Sequence, residues 1–313
     1  MRAVFAEQKS VVLRDIEAPD GDGVDLRVAM CGICGSDLHM IENGMRGVVV
    51  GHEFGGWLAD GRLVAVRPTG ECGACSHCTR GRHHLCADAM ARSYGISMNG
   101  GLTESARVEE SRLTVMPEGS RPRDAALVEP LAVALHGARR AGVPTGGRAL
   151  VVGAGSIGLL TAAALRAWGV ECDIVARHPH QAAAAEALGA RVVGRPASSA
   201  YSHTFDAVCT QETVDLCIEA TEPGGTLLEF GLFWTPVRMS NALLLKEVTF
   251  VPAMFYGHDH DHNDFTEAAA IVGADPAIAD ALVTHEFGLE DATEGFRTAA
   301  DRSSGAIKVH IRP

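Results

Sequence analysis

The longest apolar stretch of the chain, Ala149 to Val170, is interrupted by Gly153, Gly155, Gly158, Gly169 and Arg166, so it reads as a strand, a tight turn and a helix rather than as a membrane span. Unbroken apolar character over Ala149, Leu150, Val151 and Val152 predicts a buried parallel strand. The Ala- and Leu-rich run beyond Gly158 predicts a helix, and a second strand is expected over Cys172 to Ala176. The chain ahead of this stretch is rich in short strand-like runs and glycine turns. It opens with MRAVFAEQKSVVLRD, which lacks a continuous apolar core and reads as a strand, not an export signal, so a cytoplasmic protein is expected. Farther on, the pattern predicts a helix over Asn263 to Val272, a strand around Val283 to Phe287, a helix over Leu289 to Asp301 and a last strand over Ala306 to Ile311. The chain therefore divides into a strand-rich part over residues 1–136, an α/β part over 137–262 and a closing segment over 263–313.

At 313 residues there is enough chain for two domains, each with its own core, and 47% hydrophobic against 21% charged residues excludes wholesale disorder. With 27 basic and 39 acidic residues the net charge is −12, which argues against nucleic acid as a partner. Trp57, Trp168, Trp234, Tyr94 and Phe233 are likewise too scattered to form a base-stacking platform. Tyr94 is a candidate for a substrate cleft, although packing is the commoner fate of such a ring. Apart from Lys9, Lys246 and Lys308 every cation is Arg, so an isolated Arg is weak evidence for a phosphate site.

Cysteines in a chain expected in the cytoplasm point to metal or catalysis before disulfides. Four of them, Cys72, Cys75, Cys78 and Cys86 in ECGACSHCTRGRHHLC, follow the spacing C-x2-C-x2-C-x7-C. Such short spacings let tight turns aim neighbouring sulfurs at one tetrahedral zinc about 2.3 Å away, with an iron–sulfur cluster as the rival occupant. A closed shell of four thiolates leaves no open position, so this zinc is structural. A second set is dispersed: Cys31, Cys34, Ser36, Asp37 and His39 in CGICGSDLH, then His52 and Glu53 in GHEFGG. A thiol, an imidazole and a carboxylate gathered by folding supply three zinc ligands and leave a fourth position for water or substrate. A buried Cys and a hydrogen-bonded His are the plainer alternative. His258, His260 and His262 in GHDHDHND are a weaker metal candidate, since alternating His and Asp more often form a solvated loop.

Gly153, Gly155 and Gly158 have the G-x-G-x-x-G spacing of a dinucleotide-binding turn, set between the predicted strand and helix. The first makes the turn, the second lets a pyrophosphate approach, the third allows close helix packing, and the helix start at Ser156 and Ile157 offers N–H groups to the phosphates. Cofactor choice turns on the end of the next strand, where NAD enzymes carry an acid about 20 residues beyond the glycines for the ribose 2′-OH. That slot holds Ala176 here, followed by Arg177 and His178. Without a carboxylate a 2′-phosphate is not repelled, and Arg177 can grip it in a fork, which favours NADP(H) over NAD(H). The alternative is that Arg177 is one more surface Arg.

Taken in order with NGGLTE (Asn99 to Glu104), VEPLAVALH (Val128 to His136), PGGTLL (Pro223 to Leu228), VTHEFGLEDATEGF and GAIKV, these motifs resemble the zinc-dependent medium-chain alcohol and polyol dehydrogenases almost from end to end, in their sorbitol, threonine and glucose dehydrogenase-like branch. The resemblance implies an α/β protein with a split, GroES-like, β-rich catalytic domain, made of the N-terminal part and the extreme C-terminus. A Rossmann domain with a doubly wound parallel sheet is inserted in it. Cys34 and His52 become ligands of a catalytic zinc, Cys31 stays outside, and Glu53 lies beside the metal, bound in some states or supporting a ligand. Glu129 falls where many members supply a third carboxylate, directly or through water. Asp37 is implied to accept the free N–H of His52, Ser36 to hand on the substrate proton and His39 to carry it to solvent. The implied reaction is hydride transfer between a nicotinamide cofactor and a secondary alcohol, polyol or sugar, or reduction of the matching ketone or aldehyde. A C=C reductase on the same fold and a non-catalytic nucleotide sensor are the rivals, and the full set Cys34, Ser36, His52 and Glu129 disfavours both. A small-molecule substrate, no membrane partner and a homodimer or homotetramer, built through an edge strand such as Val248 to Phe255, are also implied. Two stretches are shorter than the family pattern, WLADGRLVAVRP and FDAVCTQETVDLCIEATEPGG, and both cuts are expected to fall on surface loops and spare the sheet.

Overall fold

The N-terminal segment folds as a hairpin instead of one strand: β1 (Arg2–Glu7) and β2 (Ser10–Asp15) pair antiparallel with Glu7 opposite Ser10. Gln8 and Lys9 form its two-residue loop at φ 43° and 66°. A loop of this length demands such left-handed values, and no Gly or Asn announces them in the sequence. The protein is described by a computed structural model covering residues 1–257 and 262–313, so His258 and His260 lie outside the described residues.

β3 (Val24–Ile33) is the longest strand of the N-terminal part, and buried Leu26, Val28, Met30, Cys31 and Ile33 give it an apolar lining. Helix α1 (Gly35–Glu42), β4 (Glu53–Trp57), β5 (Leu63–Val66), β6 (Ser105–Val108) and β7 (Leu113–Val115) follow, and every strand pairing among β3 to β7 is antiparallel. Tyr94 is a packing residue here. Its ring meets Phe54 edge-on with centroids 6.3 Å apart, Arg112 lies 4.6 Å above it, and its hydroxyl accepts the Glu109 N–H at 3.1 Å.

After α2 (Pro122–Ala125) and α3 (Val128–Ala141) the fold changes character. Two compact units divide the chain, Met1–Glu129 with Gly257–Pro313 and Pro130–Tyr256. The second unit runs β8 (Arg148–Val152), α4 (Ser156–Ala167), β9 (Glu171–Val175), α5 (Pro179–Ala187), β10 (Arg191–Val193), β11 (Tyr201–Asp206), α6 (Gln211–Ala220), β12 (Thr221–Glu229), α7 (Asn241–Leu245) and β13 (Thr249–Pro252). All neighbours are parallel in the order β10-β9-β8-β11-β12-β13. The winding reverses between β8 and β11, the place where such sheets open a crevice at their carboxyl ends for a ligand. Ala149, Leu150 and Val151 have no exposed surface, as a parallel strand covered on both faces requires. After β11 the helix α6 passes straight into β12 with no intervening loop.

The closing segment returns to the first unit. Asn263 caps α8 (Asp264–Ala274) by accepting the Phe265 and Thr266 N–H groups at 3.1 Å. α9 (Ala277–Leu282), β14 (Val283–Gly288), α10 (Ala292–Ala300) and β15 (Lys308–Arg312) complete it, with a 3-10 turn over Leu289–Asp291 where the sequence suggested the start of the last helix. β15 pairs antiparallel with β3 and parallel with β14, giving the order β14-β15-β3-β4-β5-β7 with β6 on β3. The last strand of the chain thus lies inside the sheet begun by β3. Among the described residues no helix is long and apolar enough to cross a membrane.

Candidate active site

Where β3 ends, Cys34 caps α1, and its N–H donates to Asp37 Oδ2 at 3.0 Å. That bond fixes the first helical turn and with it the direction of both side chains. Asp37 has no exposed surface, and its Oδ1 lies 3.0 Å from Nδ1 of His52, just ahead of β4. The ligand atoms of Cys34, His52 and Glu53 lie within 4.8 Å of one another. Thiolate, imidazole and carboxylate form a donor set that suits zinc. The site's electrostatics agree: burial lowers the proton affinity of His52, but Asp37 and Cys34 outweigh it and hold its pKa well above the usual 6.5.

Glu53 has a partner that its sequence neighbours do not reveal. Lys308 Nζ donates to both Glu53 oxygens, at 2.8 and 2.7 Å, and to the Ile33 carbonyl at 3.1 Å, with side chains 3% and 1% exposed. Burial opposes the charge on Lys308, yet Glu53, Cys34 and Glu129 hold its pKa above 10.5. Gly32 makes room for this pair, since a Cβ there would stand 2.2 Å from Glu53 Oε2.

Glu129, in the first turn of α3, is buried but outside the three-residue group. Burial pushes its pKa up to about 7, with His52 opposing and Glu53 adding to the rise. Cys31 is also outside the group; its thiol faces the Gly32 carbonyl at 3.6 Å and is pushed up by burial. Ser36 is half-buried at the start of α1 with no hydrogen-bond partner among the described residues, and His39 is half-buried in the last turn.

Cys72, Cys75, Cys78 and Cys86 converge as well, their sulfurs all within 4.8 Å of one another. Cys72 and Cys75 Sγ lie 3.9 and 3.4 Å from Cys78 Sγ. A tetrahedron with bonds of about 2.3 Å has an edge of about 3.8 Å, so these separations fit one zinc. They are too tight for sulfurs that must each reach a different iron. Backbone N–H groups, that of Cys78 first, draw the Cys75 thiol down to about 6, while burial holds Cys78 up to about 12.

The glycine turn has the form that a dinucleotide needs. Gly153, at φ 101°, ends β8, and Gly155 caps α4. A Cβ on Gly158 would stand 1.8 Å from the Gly153 carbonyl oxygen, so the third glycine permits close packing of helix on turn. The buried Ser156 hydroxyl has no hydrogen-bond partner, and with Ile157 it opens the helix where phosphate N–H donors are expected. Both acids of β9 are engaged elsewhere. Glu171 pairs with Arg148, and Asp173 accepts from Arg191 at 2.8 and 2.5 Å and from Tyr201 at 2.7 Å. Beyond the strand come half-buried Ala176, exposed Arg177 and His178, which caps α5. Arg177 forms no ion pair among the described residues, and the His178 ring stacks on His180 with centroids 5.5 Å apart.

Both parts of the chain match known protein families. Residues 20–118 match the alcohol dehydrogenase GroES-like domain family, and residues 156–274 match the zinc-binding dehydrogenase family. The chain is 32% identical over 316 residues to D-altritol 5-dehydrogenase of Agrobacterium fabrum, covering 92% of each chain. It is 26% identical to L-idonate 5-dehydrogenase (NAD(P)(+)) of Escherichia coli, covering 97% of this chain and 96% of that one. Among solved structures, a Sinorhizobium meliloti protein described as a zinc-binding dehydrogenase and bound to NADP superposes with a TM-score of 0.88 at 26% identity, over 100% of this chain and 99% of that one.

Proposed function

The chain belongs to the zinc-dependent medium-chain alcohol and polyol dehydrogenases, and from that premise we propose how its own residues divide the reaction and which cofactor it takes. It is an oxidoreductase that moves a hydride between a nicotinamide cofactor and an alcohol or polyol, or the matching carbonyl compound. The observation that carries the proposal is the group Cys34, His52 and Glu53, braced by Asp37 and Lys308.

Cys34 and His52 would hold the catalytic zinc, with Glu53, engaged by Lys308, beside it and Glu129 as a further carboxylate acting directly or through water. When bound, zinc polarises the substrate oxygen and makes an alcohol proton easier to remove near neutral pH. Asp37 holds Nδ1 of His52 and so leaves Nε2 for the metal. The Ser36 hydroxyl takes the proton from the substrate oxygen and His39 passes it to solvent. In the reducing direction the proton returns by the same path. Cys72, Cys75, Cys78 and Cys86 hold a second, structural zinc. Gly153, Gly155, Ser156, Ile157 and Gly158 receive the pyrophosphate.

Ala176 and the unpaired Arg177 support NADP(H) over NAD(H). A charge-assisted bond of this kind contributes about 1.5–3 kcal/mol, or roughly 10- to 150-fold in affinity. A second copy of the chain along edge strand β13 and a cytoplasmic location complete the reading. Titration with both cofactors at low salt tests it. NADPH should bind more tightly, the gap should narrow with salt, and Ala176→Asp with Arg177→Ala should reverse the order. NAD(H) binding equally or more tightly to the unmodified protein overturns the cofactor assignment.

A further inference from the structure

The dehydrogenase chemistry leaves one group of metal-ligating side chains unused. Asp206 closes β11, Cys209 lies in the turn before α6, and Glu229 closes the neighbouring β12. Their ligand atoms lie within 4.8 Å of one another. Glu229 is 3% exposed, and neither of its carboxylate oxygens receives a hydrogen bond of acceptable geometry; the Cys209 thiol and the Gly231 N–H come only near enough to ease its ionisation. Cys209 stands at φ 66°, a left-handed value uncommon for a residue with a Cβ. Its sulfur lies over Gly231, where a Cβ would stand 2.2 Å from Sγ, so that glycine is needed for the thiol to sit where it does.

Asp206 is already oriented. Its Oδ1 accepts the Val208 and Cys209 N–H groups at 2.9 and 3.0 Å, and its Oδ2 accepts the Thr213 hydroxyl at 2.8 Å, which leaves a lone pair on Oδ2. Burial, and then Asp206, push the Glu229 carboxyl up to about 7, and burial also raises the Cys209 thiol. Two acids and a thiol are therefore crowded together with no ion pair among the described residues to offset them.

We propose that Asp206, Cys209 and Glu229 form a third metal site, for a soft divalent cation of the zinc type, at the carboxyl ends of β11 and β12. One thiolate and two carboxylates with an open fourth position suit zinc or cadmium; magnesium and calcium take oxygen donors instead. Binding replaces the thiol proton of Cys209, and any proton on Glu229, by the metal and releases them to water, so affinity rises with pH. Cys209 is only half-buried, which gives the ion access.

The test uses the full-length protein with its two family zinc sites loaded, dialysed and then titrated with Zn²⁺ or Cd²⁺. The expected result is one further equivalent per chain, together with slowed alkylation of Cys209 as its occupancy rises, read on the Cys209 peptide by mass spectrometry. Cys209→Ser and Glu229→Gln should each weaken that equivalent at least about tenfold and retain the first two ions. The alkylation measurement needs no variant and stands even if a substitution disturbs folding. A Cys209 alkylation rate unchanged by saturating Zn²⁺ or Cd²⁺, or a further equivalent that survives both substitutions, overturns the proposal.

Discussion

Lys308→Met removes the cation that grips both oxygens of Glu53 and leaves a carboxylate buried without it. Breaking a buried ion pair at one end costs about 3–5 kcal/mol, because the surviving charge keeps its desolvation penalty and loses its compensation. The lost hydrogen bond to the Ile33 carbonyl places the expected value toward the upper end. For a unit of this size each kcal/mol moves Tm by about 2–4 °C, so the fall should be roughly 6–20 °C. Lys308 has a native pKa raised above 10.5, so its contribution is complete below that pH and is lost only as pH rises through the higher native value. Measurements between pH 7 and 9 therefore see all of it. Calorimetry after chelation, so that zinc cannot replace the lost charge, compares the unmodified protein with Lys308→Met and with the double variant that adds Glu53→Gln. The double variant should recover most of the loss, since a neutral amide needs no cation. A single variant within about 1 kcal/mol of the unmodified protein, or a double variant no more stable than the single, would refute the reasoning.

Ser36→Ala should retain zinc and cofactor and lose about 10²- to 10⁴-fold in alcohol oxidation; an unchanged kcat across the pH range would make Ser36 a helix residue only. His310, with no exposed surface and no partner for either ring nitrogen, has its pKa held well below 6.5 by burial, then by Lys308 and Arg123. Its contribution to stability is full above pH 6.5 and falls with pH below it, by about 1.4 kcal/mol per pH unit, until the native pKa is reached. His310→Phe should remove that slope from the variant's own unfolding free energy, and a slope that persists in the variant would assign the acid sensitivity elsewhere.

Features whose parts lie close together in the chain were the most legible. Cys72 to Cys86 spans one lobe, and Gly153 to Gly158 joins one strand to one helix, so spacing alone indicates which atoms converge. Cys34, Ser36, Asp37 and His39 share one cap and one short helix, and for them the family resemblance added roles that residue types alone leave open. Lys308 is different. It reaches Glu53 from 255 positions away because β15 is laid beside β3, and no local pattern encodes that pairing. The Gln8–Lys9 turn was hidden for the opposite reason: the hairpin imposes left-handed backbone on residues that do not favour it. The Cys209 and Glu229 contact needs two parallel strands in register, and neither residue belongs to a recognisable motif.

Zinc content and turnover followed together on the same dialysed samples during graded chelation bear most directly on the claim that Cys34 and His52 hold the metal of the active site. The account predicts up to two zinc ions per chain, one of them tightly held. The open Cys34/His52 site should empty before the closed four-cysteine site, with alcohol-dependent NADP⁺ reduction falling in step with that first ion and returning when zinc is restored. Full turnover after the first ion has left, or in a Cys34→Ala variant, would contradict it.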